Sequence, residues 1–212
     1  MRVLVTGSSR GIGRAIYDKF AKEGHEVLNP SRDELDLSKN IFPDFGEIDI
    51  LINNAGINIP ESILDLSKVE EIMNVNFYAP LKLMQAFLPY MKKQSFGRIV
   101  NIGSIWVNFS KEDRVSYSAS KNALHSLTKS IVSEFSQYNI LANTVSPGYI
   151  STDMTFQNNT EEQLSQIIKN IPLDRLGCPA EVADLVYFLT VNNSYISGQN
   201  IFIDGGYTCT AK

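Results

Sequence analysis

The chain has 212 residues, 43% hydrophobic and 20% charged, with a formal net charge of -4. That length suits one domain able to bury about 70% of its unfolded surface, and the acidic balance argues against binding nucleic acid or an anionic membrane. No apolar run approaches the roughly eighteen residues of a membrane-spanning helix, and the chain opens on a strand rather than a signal or transit segment, so a cytoplasmic protein is expected. Cys178 and Cys209 lack metal-ligand spacing and read as free thiols, His25 and His125 have no acid and serine nearby, and no metal site is expected.

In chain order, residues 2–6 read as a strand running into the glycine-rich turn Thr6-Gly7-Ser8-Ser9-Arg10-Gly11-Ile12-Gly13. Ile12, Ala15, Ile16, Phe20 and Ala21 then recur at helical spacing up to Gly24. Strand, glycine turn and helix start in that order make a pyrophosphate site. The glycines let the backbone approach, and the amides and positive end of the helix meet the charge.

Glu26, Val27 and Leu28 form a second strand. An acid near its end would hold the ribose 2′-hydroxyl of NAD, whereas a base there suits the 2′-phosphate of NADP. Ser31 and Arg32 stand at that place, and Arg10 lies in the turn, so two guanidiniums and a hydroxyl can cradle a 2′-phosphate. Asp33 beside them could instead swing in for a ribose. Too few residues precede Leu35-Asp36-Leu37 for a crossover helix. A strand there is reduced to a short edge piece or missing, and residues 38–46 leave at most a helical turn.

Residues 48–53 are the next strand, leading into Asn53-Asn54-Ala55-Gly56, whose small residues let the backbone pass close to a cofactor. A helix follows from 69 to about 93, its apolar face interrupted by Asn76. Residues 98–104 read as a buried strand that delivers Ser104 into a crevice. Trp106 and Phe109 then either line an apolar slot or pack in the core or an interface. Residues 116–135 form a helix with Tyr117 and Lys121 one turn apart on one face, where the ammonium would favour the phenolate and lower its pKa. A strand at 140–146, the turn Pro147-Gly148-Tyr149-Ile150-Ser151-Thr152, a polar stretch at 153–169 with a short helix from Glu161, a helix at 180–190 and a strand at 199–203 complete the chain.

The glycine turn, Asn53-Asn54-Ala55-Gly56, Ser104, and Tyr117 with Lys121, in this order and spacing, resemble the short-chain dehydrogenase/reductases over nearly the whole chain. That resemblance implies a single α/β domain, a doubly wound parallel sheet of the Rossmann type, shortened around its third strand. It implies hydride transfer between nicotinamide and a carbonyl or secondary alcohol. The catalytic set would be Asn76, Ser104, Tyr117 and Lys121, with Asn76 holding, through a local break in its helix, a water bonded to the lysine. Cofactor contacts carry over to Gly7, Ser9, Arg10, Gly11, Ile12 and Gly13 in the turn and to Ser31, Arg32, Asp36 and Leu37 on the adenosine side. They carry over equally to Asn53, Ala55, Gly56, Tyr117 and Lys121, and to Pro147, Gly148, Ile150 and Thr152 at the nicotinamide. NADP(H) is expected over NAD(H).

Within the family, 3-oxoacyl-carrier-protein reductases match well, although Ser95 and Tyr138 stand where those enzymes carry arginines for the carrier protein, with Lys92 and Lys93 close by. A non-catalytic NADP(H)-binding sensor or scaffold is the third alternative. Members of the family often pair through the long helix and the Tyr117 helix, so a homodimer or homotetramer is expected. Substrate determinants fall in residues 105–115 and 153–169. Lys111, Arg114 and Arg175 either meet an anionic substrate, such as a sugar nucleotide, or are solvated charges.

Overall fold

The computed structural model describes residues 1–39 and 42–210. Its centre is a six-stranded sheet in the order β2-β1-β3-β4-β5-β6, made of β1 (Arg2–Val5), β2 (Glu26–Leu28), β3 (Ile50–Asn53), β4 (Gly97–Ile102), β5 (Ile140–Pro147) and β6 (Asn200–Ile203). Every pairing is parallel. The helices are α1 (Gly11–Lys22), α2 (Val69–Met73), α3 (Ala79–Lys93), α4 (Val115–Phe135), α5 (Asp153–Gln157), α6 (Glu161–Asn170) and α7 (Pro179–Tyr187).

Strand side chains alternate between the two faces. Val3, Val5, Ile50 and Ile52 pack under α1 and α7 with Ile16, Phe20, Val182 and Val186. Leu4 and Leu51 point the other way, toward Leu83, Met84 and Phe87 of α3 and Ile131 of α4. With both faces covered, the strands need no polar side, which is why they read as unbroken apolar runs.

The strand considered near Leu35-Asp36-Leu37 is missing, so β2 is the edge of the sheet. The chain crosses from β2 to β3 without a helix among its described residues. Leu35 is buried, and Leu37, Phe42 and Phe45 pack into the second core in the helix's stead, Phe45 lying 6.5 Å from Phe87. Arg2 pins this connection by donating to the Phe45 carbonyl at 2.7 Å. The helical turn considered for residues 38–46 falls partly on residues 40 and 41, outside the described residues, and residues 42–46 have no regular structure.

The helix expected at 69–93 is two helices, α2 and α3, joined by a π-helical turn, Asn74–Tyr78. The expected local break therefore exists and includes Asn76. Parallel strands bring the carboxyl ends of β1, β3, β4 and β5 to one edge, where a doubly wound sheet binds its ligand.

Candidate active site

The turn between β1 and α1 leaves its helix end open. Arg10, which precedes α1, makes no side-chain cap, and the first turn carries no acid. The amides of Gly11, Ile12 and Gly13 therefore suit an external anion at the positive end of the helix. A Cβ on Gly13 would lie 2.2 Å from the Gly7 carbonyl oxygen and 2.4 Å from Nδ2 of Asn54. Asn54 locks the turn by donating from Nδ2 to the carbonyls of Thr6 and Gly7 at 2.9 and 3.1 Å, while Thr6 Oγ1 accepts from the Ala55 amide at 3.0 Å. Gly11 lies against Thr152, whose Cγ2 would be 3.3 Å from a Cβ there. Glycines where the turn has no room for a side chain, open amides and Thr152 from the β5 loop together fit the pyrophosphate end of a dinucleotide.

The outer contacts are more dispersed. Ser9 and Arg10 are exposed, and Arg10 reaches Asp153 at 3.5 Å. Ser31 and Arg32 are also exposed, and the Ser31 amide donates to Glu34 Oε2 at 2.8 Å. Asp36 accepts from the Ser38 hydroxyl at 2.6 Å and pairs with Lys39 at 3.2 Å. The Ser38 bond is the main reason its carboxyl lies below the usual range. Asn53 spends its side chain in the sheet, donating to Asn101 Oδ1 at 2.8 Å, and Asn101 passes the chain on to Thr128 at 3.0 Å.

The four candidate catalytic residues are all buried and come from three segments: the π-helical turn (Asn76), the segment after β4 (Ser104) and α4 (Tyr117 and Lys121). Asn76 is saturated: Oδ1 accepts from the Ile57 amide at 2.9 Å, and Nδ2 donates to the Ile57 carbonyl at 2.9 Å and to Ser120 Oγ at 3.0 Å. It thereby ties the π-helical turn to the β3 loop and to α4. Gly56 lies at the junction, since a Cβ on it would be 3.2 Å from Lys121 Nζ and 3.3 Å from Asn76 Oδ1. Lys121 Nζ donates to the Ile102 carbonyl at 2.8 Å, and burial lowers its pKa to about 8.

Tyr117 and Ser104 line the same cavity, and Ser104 Oγ accepts from the Trp106 amide at 3.3 Å. Burial is the largest influence on the phenol and raises its pKa, while the Ser104 side chain and the charge of Arg114 pull it back. This corrects the expectation that Lys121 sets the phenol. The ammonium lies 5.7 Å from the ring centroid and is bonded to Ile102.

Ser104 and Tyr117 open into a cavity of about 100 Å³ whose wall includes Trp106 and Tyr149 and whose outer side is formed by α5 and the residues after it. Trp106 thus lines the slot, while Phe109 packs edge-on against it at 5.1 Å and against Tyr207 at 6.0 Å.

A sequence model of the family described as Enoyl-(Acyl carrier protein) reductase matches residues 33–208. The chain is 34% identical to the 3-oxoacyl-[acyl-carrier-protein] reductase FabG of Haemophilus influenzae, over 96% of either protein. The chain is a short-chain dehydrogenase/reductase. Solved structures agree along its length. A gluconate 5-dehydrogenase from Burkholderia cenocepacia in complex with NADP and tartrate superposes with a TM-score of 0.86 at 26% identity, covering 99% of this chain and 96% of that one. A 4-hydroxyisoleucine dehydrogenase complexed with NADH gives 0.87 at 29% identity, covering 99% of each. The protein is accordingly an NAD(P)-dependent oxidoreductase of this family, built on one parallel Rossmann sheet.

In this short-chain dehydrogenase/reductase some residues escaped the reading of the sequence. Glu61 is buried between the β3 loop and the starts of α2 and α4. Its Oε2 accepts from Ser116 Oγ at 2.6 Å, and its Oε1 accepts from the Lys68 amide. It holds the residue next to Tyr117, yet it is 55 positions from Ser116 in the chain, and no spacing rule links the two. Asn54 and Thr6 show no motif of their own but lock the glycine turn. Among the charges considered for an anionic substrate, Arg175 is held by Glu181 at 3.0 and 2.6 Å and is not among the residues lining the cavity of Ser104 and Tyr117. Of the residues considered for a carrier protein, Lys92 stacks on Tyr138 at 4.7 Å from the ring centroid.

Among the described residues no helix is long and apolar enough to cross a membrane.

Proposed function

We propose that this short-chain dehydrogenase/reductase reduces a small carbonyl substrate with NADPH, Tyr117 acting as the proton donor. The observation that carries this reading is Ser104 and Tyr117 buried together on the wall of one cavity, with the buried Lys121 Nζ 5.7 Å from the centroid of the tyrosine ring. When bound, the nicotinamide supplies the hydride. Ser104 orients the carbonyl oxygen, and Tyr117 delivers a proton to it as negative charge develops. Lys121, with a pKa of about 8 and thus charged near neutrality, holds the nicotinamide ribose and supports the phenolate left behind. The π-helical turn at Asn76 holds the water through which the proton is replaced. Thr152 and Ile150 position the nicotinamide, and the open amides after Arg10 hold the pyrophosphate.

NADP(H) preference over NAD(H) rests on Arg10 and Arg32, both exposed, Arg10 exchanging its surface pairing with Asp153 for a 2′-phosphate, with no acid at Ser31. Titrating the protein with NADPH and NADH, alone and as Arg32→Ala, tests this. Tighter NADPH binding that collapses toward the NADH value in the variant is expected, and equal or tighter NADH binding refutes the preference. Reduction of a 3-oxoacyl carrier protein is the second reading, favoured by the 34% identity to an enzyme of that name. Ser95 and Tyr138 argue against it, since neither offers a cation to an acidic carrier. The family resemblance further supports a cytoplasmic homo-oligomer joined through α3 and α4, and a single domain.

A further inference from the structure

We propose that the substrate cavity is built for a compact hydroxylated anion, a short sugar acid or hydroxy acid in its oxo form, rather than for an acyl chain; this rests on the carbonyl-reductase reading. Lys111 and Arg114 line the cavity together with Asn58, Asn158 and Asn159, and no acidic side chain is among the lining residues. Among the described residues neither cation forms an ion pair. Arg114 spends one donor on the Asp113 carbonyl at 2.8 Å, and the rest of its planar fork has no protein partner there. Arg114 lines the same cavity as Tyr117 and Tyr149, where burial raises the pKa of both phenols and its charge acts to lower it. An apolar acyl chain would have to desolvate this guanidinium and the amides of Asn58 and Asn158 without satisfying them, whereas Asn159 already donates to the Thr155 carbonyl at 2.8 Å.

An anion of suitable size satisfies them instead. A carboxylate matches the fork of Arg114 in two parallel hydrogen bonds, with Lys111 as a second positive charge. The asparagines serve hydroxyl groups, which both donate and accept. Asn58 supplies a specific reason to expect one, because its Oδ1 is buried with no hydrogen-bond partner in the folded chain. A turn of this amide toward the cavity it lines brings the oxygen to a ligand hydroxyl, which removes the penalty of the unpaired acceptor. The cavity, of about 100 Å³, has room for a compact ligand.

Trp106 is the chain's single tryptophan and stands on the cavity wall, so its fluorescence reports occupancy without any turnover. The protein, with and without NADP+, is titrated with gluconate against sorbitol and with glycerate against glycerol, pairs that differ in one carboxylate, and with glycerol 3-phosphate to separate carboxylate from phosphate ester. Each acid is expected to saturate at a concentration about tenfold or more below its neutral partner. Arg114→Met should erase that preference, and Arg114→Lys should keep part of it. Lys111→Met, at an exposed position that cannot compromise folding, should weaken acid binding by a smaller factor. Equal responses to acid and neutral partners, no response to either, or an acid preference that survives both Met variants overturns the proposal, whatever the turnover on neutral ketones. Preferential acid binding with no NADPH-dependent reduction of any oxo acid sinks the reductase reading and leaves the ligand class standing.

Discussion

Lys121→Met should make the protein more stable at neutral pH, with a gain that disappears as the solution becomes alkaline. The lysine is buried and its pKa is held at about 8, against 10.5 for an exposed lysine, because burial penalises the ammonium. At about 1.36 kcal/mol per pH unit, that difference corresponds to roughly 3 kcal/mol. Below pH 8 both the folded and unfolded chains carry the proton, and the folded state bears the whole penalty. Between pH 8 and 10.5 the unfolded chain keeps a proton that the folded chain has released, so wild-type stability rises with pH through that window. Against this, methionine removes the donor to the Ile102 carbonyl, now 2.8 Å from Nζ, at a loss of about 1–2 kcal/mol.

The balance at pH 7 favours the variant by about 1–2 kcal/mol, a rise in Tm of roughly 2–8 °C for a chain of this size. By pH 10.5 only the lost hydrogen bond remains, and the wild type should be the more stable. Paired urea melts of both proteins across the window measure the difference directly, since all other titrations cancel between them. A difference that does not change with pH, or a wild type more stable at pH 7, would refute the argument that this ammonium is buried without compensation.

Two further substitutions probe the frame around the site. Gly13→Ala puts a methyl 2.2 Å from a backbone carbonyl; it should lower stability by about 1–3 kcal/mol and abolish NADPH binding, and a variant with wild-type Tm and affinity would show that the turn is not closed as described. Glu61→Ala leaves Ser116 Oγ and the Lys68 amide without their acceptor. It should lower stability by at least about 2 kcal/mol and reduce kcat with NADPH affinity kept, while Glu61→Gln restores part of both. Loss of stability with kcat intact would make Glu61 structural only.

Much of this was legible in the chain itself, for identifiable reasons. β1, β3, β4 and β5 read as apolar runs because both faces of the sheet are covered, and the glycine turn reads as an anion site because backbone geometry there tolerates no side chain. Tyr117 and Lys121 share a helix, and Asn76 stood out as a polar residue on an apolar face. What stayed hidden depends on contacts remote in sequence or on burial. Leu37, Phe42 and Phe45 replace a missing helix by packing into the core that α3 covers, which no local periodicity announces. The link from Glu61 to Ser116 and the capture of Arg175 by Glu181 remove or add residues at the site through partners that composition cannot pair. The phenol of Tyr117 was expected to be lowered by its lysine because helical spacing says only that the two share a face. It does not say that Nζ turns to Ile102, or that burial outweighs the neighbouring charges.

The central claim is that Tyr117 donates the proton in an NADPH-dependent reduction. The most direct measurement is the rate of NADPH consumption by wild type and Tyr117→Phe on the same panel of short ketones and oxo acids, with NADPH affinity measured on both proteins. A loss of about 10²–10⁴ in turnover with cofactor affinity essentially retained is the predicted result. Turnover within a few fold of wild type in the phenylalanine variant would contradict it.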